Sequence, residues 1–400
     1  MTPQQTSRRR SIVILATAAI LLVAGIATFL YFERVPVHFV SSDASGNLPS
    51  RLSSAEFWSL VADFSEPDGY FRSDNFLSNE TGFQEIIPML RQTVKPGGAY
   101  LGVGPEQNFT YIGAVQPRIS FIIDIRRQNM LEHLLYKAFF ELSSDRADFV
   151  SRLFARPRPS DIDSDSTADE MFRAFDAAAP NRELFKANLQ LALDRLKNDG
   201  IPSTFLTMDD RRSMNKVYEA FFESGPDLSY SFVGTPQGFG PAGMPTYSTL
   251  MTATDNDGMN WSYLASEENF ERIQKLQRNN LIVPLTGDFA GDKTIRAVGE
   301  YVEAHSAAVS VFYLSNVEQY LFQQKDDWSR FYTNVSGLPI NAGSTFIRSM
   351  VFGRGVYNGP GRVRSPLTTG ISSIGGLVQA FQAGQIHRYY DVYASSTTAH

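Results

Sequence analysis

The 400-residue sequence predicts an α/β fold with a mostly parallel sheet, preceded by one transmembrane helix. Three observations predict it. Residues 11–32 form an uncharged, mostly aliphatic run. Short apolar runs at 99–103, 119–123, 281–285 and 307–314 end in Gly, Asp or Asn turns, as buried parallel strands do. Helical periods lie between them, the clearest placing Leu131, Leu134, Leu135, Ala138, Phe139 and Leu142 on one helix face.

Residues 1–10 are a basic stub holding Arg8, Arg9 and Arg10. A helix over 11–32 reaches roughly 33 Å at about 1.5 Å per residue, enough to span a bilayer core. Three arginines before it, against Glu33 and Arg34 after it, orient the N-terminus to the cytoplasm and the rest to the periplasmic side. A cleaved signal peptide is the rival reading. No small-x-small site follows the run, and residues 29–32 are bulky where cleavage would fall, which favours an uncleaved anchor. The arginine run also loosely matches a twin-arginine export signal.

Of 36 basic and 42 acidic side chains, four Arg and one Glu fall before residue 35, so the remainder carries 32 against 41, a net charge of −9. Counterion release at a phosphate backbone needs a basic face, so nucleic acid is not an expected partner, and the membrane is met through the helix alone. The chain has no cysteine, which excludes disulfides, a thiolate nucleophile, Cys-ligated zinc and iron–sulfur clusters. The five histidines are scattered from His38 to His400, so no metal site is predicted.

Residues 33–52 read as a tether, and the α/β domain fills 53–400. Ser53 or Ser54 caps a helix carrying Phe57, Leu60, Val61 and Phe64. Helical spacing recurs over 82–93 until Pro96-Gly97-Gly98 breaks it. The strand at 99–103 enters a Gly turn, a short helix covers 109–115, and the strand at 119–123 ends at Asp124. An insertion at about 155–262 interrupts the alternation. It holds a Pro/Ser/Asp-rich stretch at 156–168, a helix over 181–198, a further strand at 202–206 and a helix through Val217, Phe221 and Phe222. It closes with a Gly/Pro/Tyr/Thr-rich stretch at 224–262, too long for an ordinary connection. There Asp255-Asn256-Asp257-Gly258 reads as a hairpin turn, because a calcium loop in that register would put Ala253 and Leu264 where oxygen ligands belong. The alternation resumes with a strand at 281–285, a helix over 293–305 and a strand at 307–314. Late strands at 344–352 and 388–393 flank a Gly-rich helix near 371–381.

Ligands of open α/β sheets collect beyond the carboxyl ends of the strands. Gly102, Gly104, Pro105, Glu106 and Asn108 form the first such end, where glycine lets the backbone approach a ligand and the next helix offers free N–H groups. Asp124 forms the second, able to accept both hydroxyls of a ribose or to cap the following helix. Glu106 and Asn108 have the same helix-opening alternative. The third end gathers Asp288, catalytic or serving its turn, with Asn316 as an orienting group and Glu318 as a general base. Glu318 and Tyr320 are two apart, so on a helix they point to different sides. His133, beside the apolar stripe, reads as structural.

Tyr100-Leu101-Gly102-Val103-Gly104-Pro105-Glu106-Gln107-Asn108-Phe109, a short helix, and Ile119-Ser120-Phe121-Ile122-Ile123-Asp124 resemble the first βαβ unit of class I S-adenosylmethionine-dependent methyltransferases. Together with Pro284-Leu285-Thr286-Gly287-Asp288-Phe289 and the run from Phe312 to Leu321, they also resemble a little-characterised bacterial family with a methyltransferase-like fold. The resemblance covers residues 55–350. It implies a Rossmann-like sheet and S-adenosylmethionine as cofactor, with Gly102 and Gly104 against the methionine part, Asp124 on the ribose and Asp288 near cofactor or acceptor. The sequence departs from that pattern at Tyr100, which replaces an acidic residue, and at Glu106, which replaces a third glycine. Gly287-Asp288-Phe289 stands where an Asn-Pro-Pro-Tyr-like motif would follow the fourth strand. Two functions are expected: a membrane-anchored transferase moving a methyl or similar alkyl group to an unknown acceptor, or a non-catalytic module binding a small molecule or protein outside the membrane.

Overall fold

The computed structural model describes residues 40, 44–230, 244–351, 367–394 and 396–398. The basic stub 1–10 and the apolar run 11–32 lie outside them. Among the described residues no helix is long and apolar enough to cross a membrane.

Helix α1 (Ser54–Phe64) opens on a capping box, in which Ser53 Oγ accepts the Glu56 N–H at 3.3 Å and the Glu56 carboxylate accepts the Ser53 N–H at 2.7 Å. There follow α2 (Ile87–Thr93), β1 (Ala99–Gly102), α3 (Gln107–Val115), β2 (Ile119–Asp124) and α4 (Arg127–Leu142). Helices α5 (Arg146–Phe154), α6 (Ala168–Ala177), α7 (Arg182–Asn198), α8 (Met208–Ser224) and α9 (Tyr247–Thr252) come next, then α10 (Glu267–Arg278). The alternation continues with β3 (Ile282–Thr286), α11 (Thr294–Ala304), β4 (Val309–Ser315), α12 (Val317–Leu321), α13 (Asp327–Ser336) and β5 (Thr345–Val351). The chain closes with β6 (Leu367–Ser373), α14 (Ile374–Gln382), α15 (Tyr389–Tyr393) and the two-residue β7 (Thr397–Thr398).

The seven strands stand in the order β3-β2-β1-β4-β5-β6-β7. The first five are parallel, whereas β6 runs antiparallel to β5 and β7 antiparallel to β6. Strands β1 to β3 are buried throughout and β4 nearly so, because helices cover both faces of the sheet. On one face Phe121 meets Phe64 of α1 and Tyr301 of α11, and Phe312 meets Phe331 of α13. On the other, Tyr313 meets Tyr111 of α3, and Thr286 Oγ1 lies 3.7 Å from the sulfur of Met130 on α4. The chain winds outward from β1 to β3 on one side and then restarts at β4 on the other. This Rossmann-like winding leaves a crevice at the carboxyl ends of β1 and β4.

Three expected elements differ. Residues 202–206 are a turn, with Phe205 N–H donating to Pro202 C=O at 2.9 Å, so the strand at 282–286 is the third rather than the fourth. Residues 388–393 are not a strand: the Asp391 carboxylate takes the N–H groups of His387 and Arg388 at 3.0 and 3.1 Å and starts helix α15, and Tyr389, Tyr390, Val392 and Tyr393 imitate a strand only by their β-prone residue types. Strand β6 occupies 367–373, partly inside the expected Gly-rich helix, which begins only at Ile374. The turn at 255–258 is tight, Asp255 Oδ1 accepting the N–H of Asp257 and of Met259 at 2.9 Å each, but no paired strands flank it.

Helix α4 explains much of the polar interior. It packs on β2 and β3 along one side and on α5, α7 and α8 along another, where Phe139 of its apolar stripe meets Tyr218 of α8. Every residue from Asn129 to Phe140 is therefore buried, including Glu132, His133 and Lys137. Lys137 is fully served there, donating to Glu141 at 2.5 Å, Gln277 C=O at 2.8 Å and Asn280 Oδ1 at 2.6 Å.

Candidate functional site

A cavity of about 160 Å³ lies at the carboxyl ends of β1 to β4. Gly104 and Pro105 reach it after β1, Asp124 and Arg126 after β2, Asp288 and Phe289 after β3, and Ser315, Asn316 and Tyr320 after β4. Residues 65–80 cross over these strand ends as a strap and contribute Phe71 and Leu77, and Tyr230 completes the wall.

Carboxylates fasten the strap. Glu66 accepts the N–H groups of Asp288 at 2.8 Å and Lys293 at 2.9 Å, and Asp68 accepts the Arg127 N–H at the start of α4 at 2.7 Å. Such placements stabilise a helix start by satisfying its free donors. Glu80 is fully buried and takes Tyr313 Oη–H at 2.8 Å, Ser315 Oγ–H at 2.6 Å and Gln107 Nε2–H at 2.9 Å. Burial raises its pKa, and the bonds from Ser315, Gln107 and Tyr313 offset part of the rise.

The expected site residues divide. Gly104 sits at φ +76°, and no atom of the described residues lies within 4 Å of where its Cβ would be, so the backbone there is open to a ligand among them. Gly102 is different: a Cβ would stand 2.0 Å from Asn108 Oδ1. Asn108 is buried and braces the loop, donating to the carbonyls of Val103, Gly104 and Pro105 at 2.9, 3.1 and 2.8 Å and accepting Tyr100 Oη–H at 2.9 Å. Neither Gly102 nor Asn108 lines the cavity, and Glu106 does not either. Glu106 is buried behind the loop, one oxygen accepting the Ser78 N–H at 3.2 Å and the other without a partner. Burial pushes its carboxyl up to about 8, with the Ser78 bond lowering it in part and Glu80 raising it further.

Asp124 lines the cavity, but both of its oxygens are held by the Arg126 guanidinium at 3.1 Å, and the Arg126 N–H adds a bond at 2.9 Å. A third Arg126 nitrogen donates to Ser73 C=O at 3.1 Å. Asp288 lines the cavity half-buried. Its Oδ1 accepts the Ala290 N–H at 2.9 Å, which is its turn role, and among the described residues no cation pairs with it. Asn316 lines the cavity just after Ser315, which adopts φ +48°, a left-handed conformation costing a non-glycine residue about 1 kcal/mol. Glu318, the expected general base, points elsewhere. It is buried in an ion pair with Arg348 at 2.7 and 3.2 Å and accepts the Tyr332 hydroxyl, because its place two residues before Tyr320 puts it on the other side of α12.

The structure thus gathers Gly104, Pro105, Asp124, Asp288 and Asn316, and leaves out Gly102, Glu106, Asn108 and Glu318. Sequence reasoning missed Arg126, Ser315, Phe71 and Tyr230. Arg126 stands two residues after Asp124 and was within reach of inspection; Phe71 and Tyr230 sit in aperiodic segments that carry no such signal.

Behind the Gly104 loop lies a second polar group of residues. His133 Nε2–H and Asn129 Nδ2–H donate to Gly104 C=O at 2.9 and 3.3 Å. Burial pushes the His133 imidazole down to about 4, so it is neutral. Burial, then the neighbouring Glu106, raises Glu132 well above the carboxylate range, and neither Glu132 oxygen has a partner. Among the described residues no group of three or more His, Asp or Glu side chains is arranged to hold a metal ion.

No curated protein matches the chain. A family model described as a domain of unknown function, DUF7790, matches residues 75–361, which take in all five parallel strands and the loops at their carboxyl ends. The chain therefore belongs to the DUF7790 family.

Proposed function

We propose that the cavity binds a ligand of the S-adenosylmethionine type and that this domain is a methyltransferase-like transferase, anchored in a membrane by residues 11–32 with its bulk on the periplasmic side. The open left-handed bend at Gly104, facing Asp124 and Asp288 at the switch point of the sheet, carries the reading. The run from β1 through α3 to β2 resembles class I methyltransferases. With 202–206 a turn, the fourth strand is β4, and the segment that follows it, Ser315-Asn316-Val317, keeps an asparagine where the resemblance places one.

The residues fit such a ligand in charge. Arg126 neutralises Asp124, no cation of the described residues pairs with Asp288, and a lining with one surplus negative charge suits a ligand with one net positive charge. When bound, S-adenosylmethionine supplies an electrophilic methyl group. Asp124, its orientation fixed by Arg126, accepts hydroxyls on its remaining lone pairs; Asp288 holds positive charge; Asn316 orients the acceptor; Phe71 and Leu77 of the strap exclude water. At about 160 Å³ the cavity is smaller than a typical ligand cleft of roughly 300 Å³ or more, so the reading requires the strap to move outward on binding.

One observation favours the non-catalytic alternative: Arg348 holds the expected base, Glu318, away from the cavity. Calorimetry on the full chain in detergent, with S-adenosylmethionine and S-adenosylhomocysteine, tests the proposal. Saturable binding that Gly104→Val weakens supports it, and no heat from either compound removes it. Location bears on the same point, because S-adenosylmethionine is made in the cytoplasm. A reporter fused to the C-terminus and active only outside supports the orientation; cytoplasmic activity reverses it and leaves the ligand within reach.

A further inference from the structure

We infer that the cavity selects ligands bearing an alkylated ammonium group, held between Asp288 and a set of aromatic side chains. The inference deepens the reading above by naming the charged group that this same cavity recognises, and it does not require that the ligand be S-adenosylmethionine.

The charge balance comes first. Among the described residues three charged side chains line the cavity: Asp124, Arg126 and Asp288. Arg126 is committed to both Asp124 oxygens and to Ser73 C=O, so it offers no free fork to a phosphate or carboxylate. Asp288 has one oxygen on the Ala290 N–H and no cation beside it among the described residues. A half-buried carboxylate in that position is stabilised by a cation. A divalent metal ion is a poor candidate, since the other acid of the cavity, Asp124, is held by Arg126, and among the described residues no group of three or more His, Asp or Glu side chains is arranged to share one.

The walls then choose among cations. Five aromatic residues line the cavity: Phe71 from the strap, Tyr230, Phe289 after β3, Tyr313 on β4 and Tyr320 on α12. Phe71 and Tyr320 meet edge to face, with ring centroids 5.0 Å apart and planes at 89°, and so form a right-angled corner. Tyr320 already receives a cation at its ring, the exposed Arg72 guanidinium lying 5.3 Å from the centroid. Aromatic faces attract diffuse positive charge, and the methyl groups of an alkylated ammonium pack on them while losing little hydration. A bare ammonium or a metal ion would forfeit far more. The volume of about 160 Å³ also suits a trimethylammonium head better than a nucleoside.

Choline and tetramethylammonium, against the neutral isostere 3,3-dimethylbutan-1-ol, test this by calorimetry and thermal shift on the full chain in detergent at low salt. The two cations are expected to bind at least about tenfold more tightly than the isostere. Asp288→Asn keeps the Oδ1 acceptor for Ala290, and should weaken choline about tenfold while leaving the isostere and the unliganded melting temperature unchanged. Tyr320→Leu should weaken both cations. Equal binding of cation and isostere, no binding of either cation, or undiminished choline affinity in Asp288→Asn overturns the inference. The two proposals fail separately. Choline binding without S-adenosylmethionine binding removes the transferase reading alone. S-adenosylmethionine binding that choline neither shares nor competes with removes this inference alone.

Discussion

Replacing Glu106 by Gln should make the protein more stable at high pH and leave it nearly unchanged in mild acid. Glu106 is fully buried, one oxygen on the Ser78 N–H and the other without a partner, and its carboxyl is pushed from 4.5 up to about 8, by burial first. An acid whose folded pKa is raised binds its proton more tightly in the folded chain. Its stabilising effect is complete below 4.5 and is lost as pH rises through 8. At about 1.4 kcal/mol per pH unit, the loss reaches about 3 kcal/mol at pH 7 and about 5 kcal/mol above pH 8. Gln cannot ionise and keeps the oxygen that Ser78 uses. Urea unfolding of the full chain in detergent, followed by the fluorescence of Trp58, Trp261 and Trp328, would give the difference between variant and parent from pH 5 to pH 9. The difference should start near zero and grow to several kcal/mol in favour of the variant. Curves that stay parallel across that range would refute the reasoning.

Two further perturbations separate packing from binding. Glu318→Gln leaves the buried Arg348 without its counter-charge and should cost about 3–5 kcal/mol, whereas the double change Glu318→Leu with Arg348→Met should recover most of it. A Glu318→Gln protein with unchanged stability and lost ligand binding would return Glu318 to the site. Gly102→Ala forces a Cβ to within 2.0 Å of Asn108 Oδ1 and should cost about 1–3 kcal/mol. Gly104→Ala meets no atom, so it should cost only about 1 kcal/mol through its φ of +76°, with the larger loss in ligand affinity. Equal melting temperatures for the two would contradict the assignment of one glycine to packing and the other to the cavity.

The sheet was legible wherever burial makes a strand continuously apolar. Residues 119–123 and 281–285 read as strands because helices cover both faces of the sheet. Strand β6 was hidden because Leu367-Thr368-Thr369-Gly370-Ile371 lies beside the antiparallel edge, where polar residues are tolerated. Helix α4 showed its stripe, but one helix in isolation cannot announce that its polar side, with Glu132 and Lys137, will also be covered. At the site, the strand-end rule found Gly104, Asp124, Asp288 and Asn316. It failed at Glu318 and Glu106, where a carboxylate near a strand end turned toward an arginine on β5 or sank beneath the loop. Those choices depend on partners distant in sequence, Arg348 and Ser78, that no local pattern announces.

The strap has a consequence for how this domain can be divided. It is translated before every strand, yet Glu66 and Glu80 complete their sets of partners only once the chain has passed residue 293 and then residue 315. Closing loops of more than 200 residues comes late in folding, so the roof of the cavity is among the last parts to set. A fragment cut to residues 75–361 would contain every parallel strand but lack Glu66, Asp68 and Phe71, and it would leave the edge of β5 bare where β6 belongs. The segment that defines the family is thus narrower than the segment that must fold to enclose a ligand.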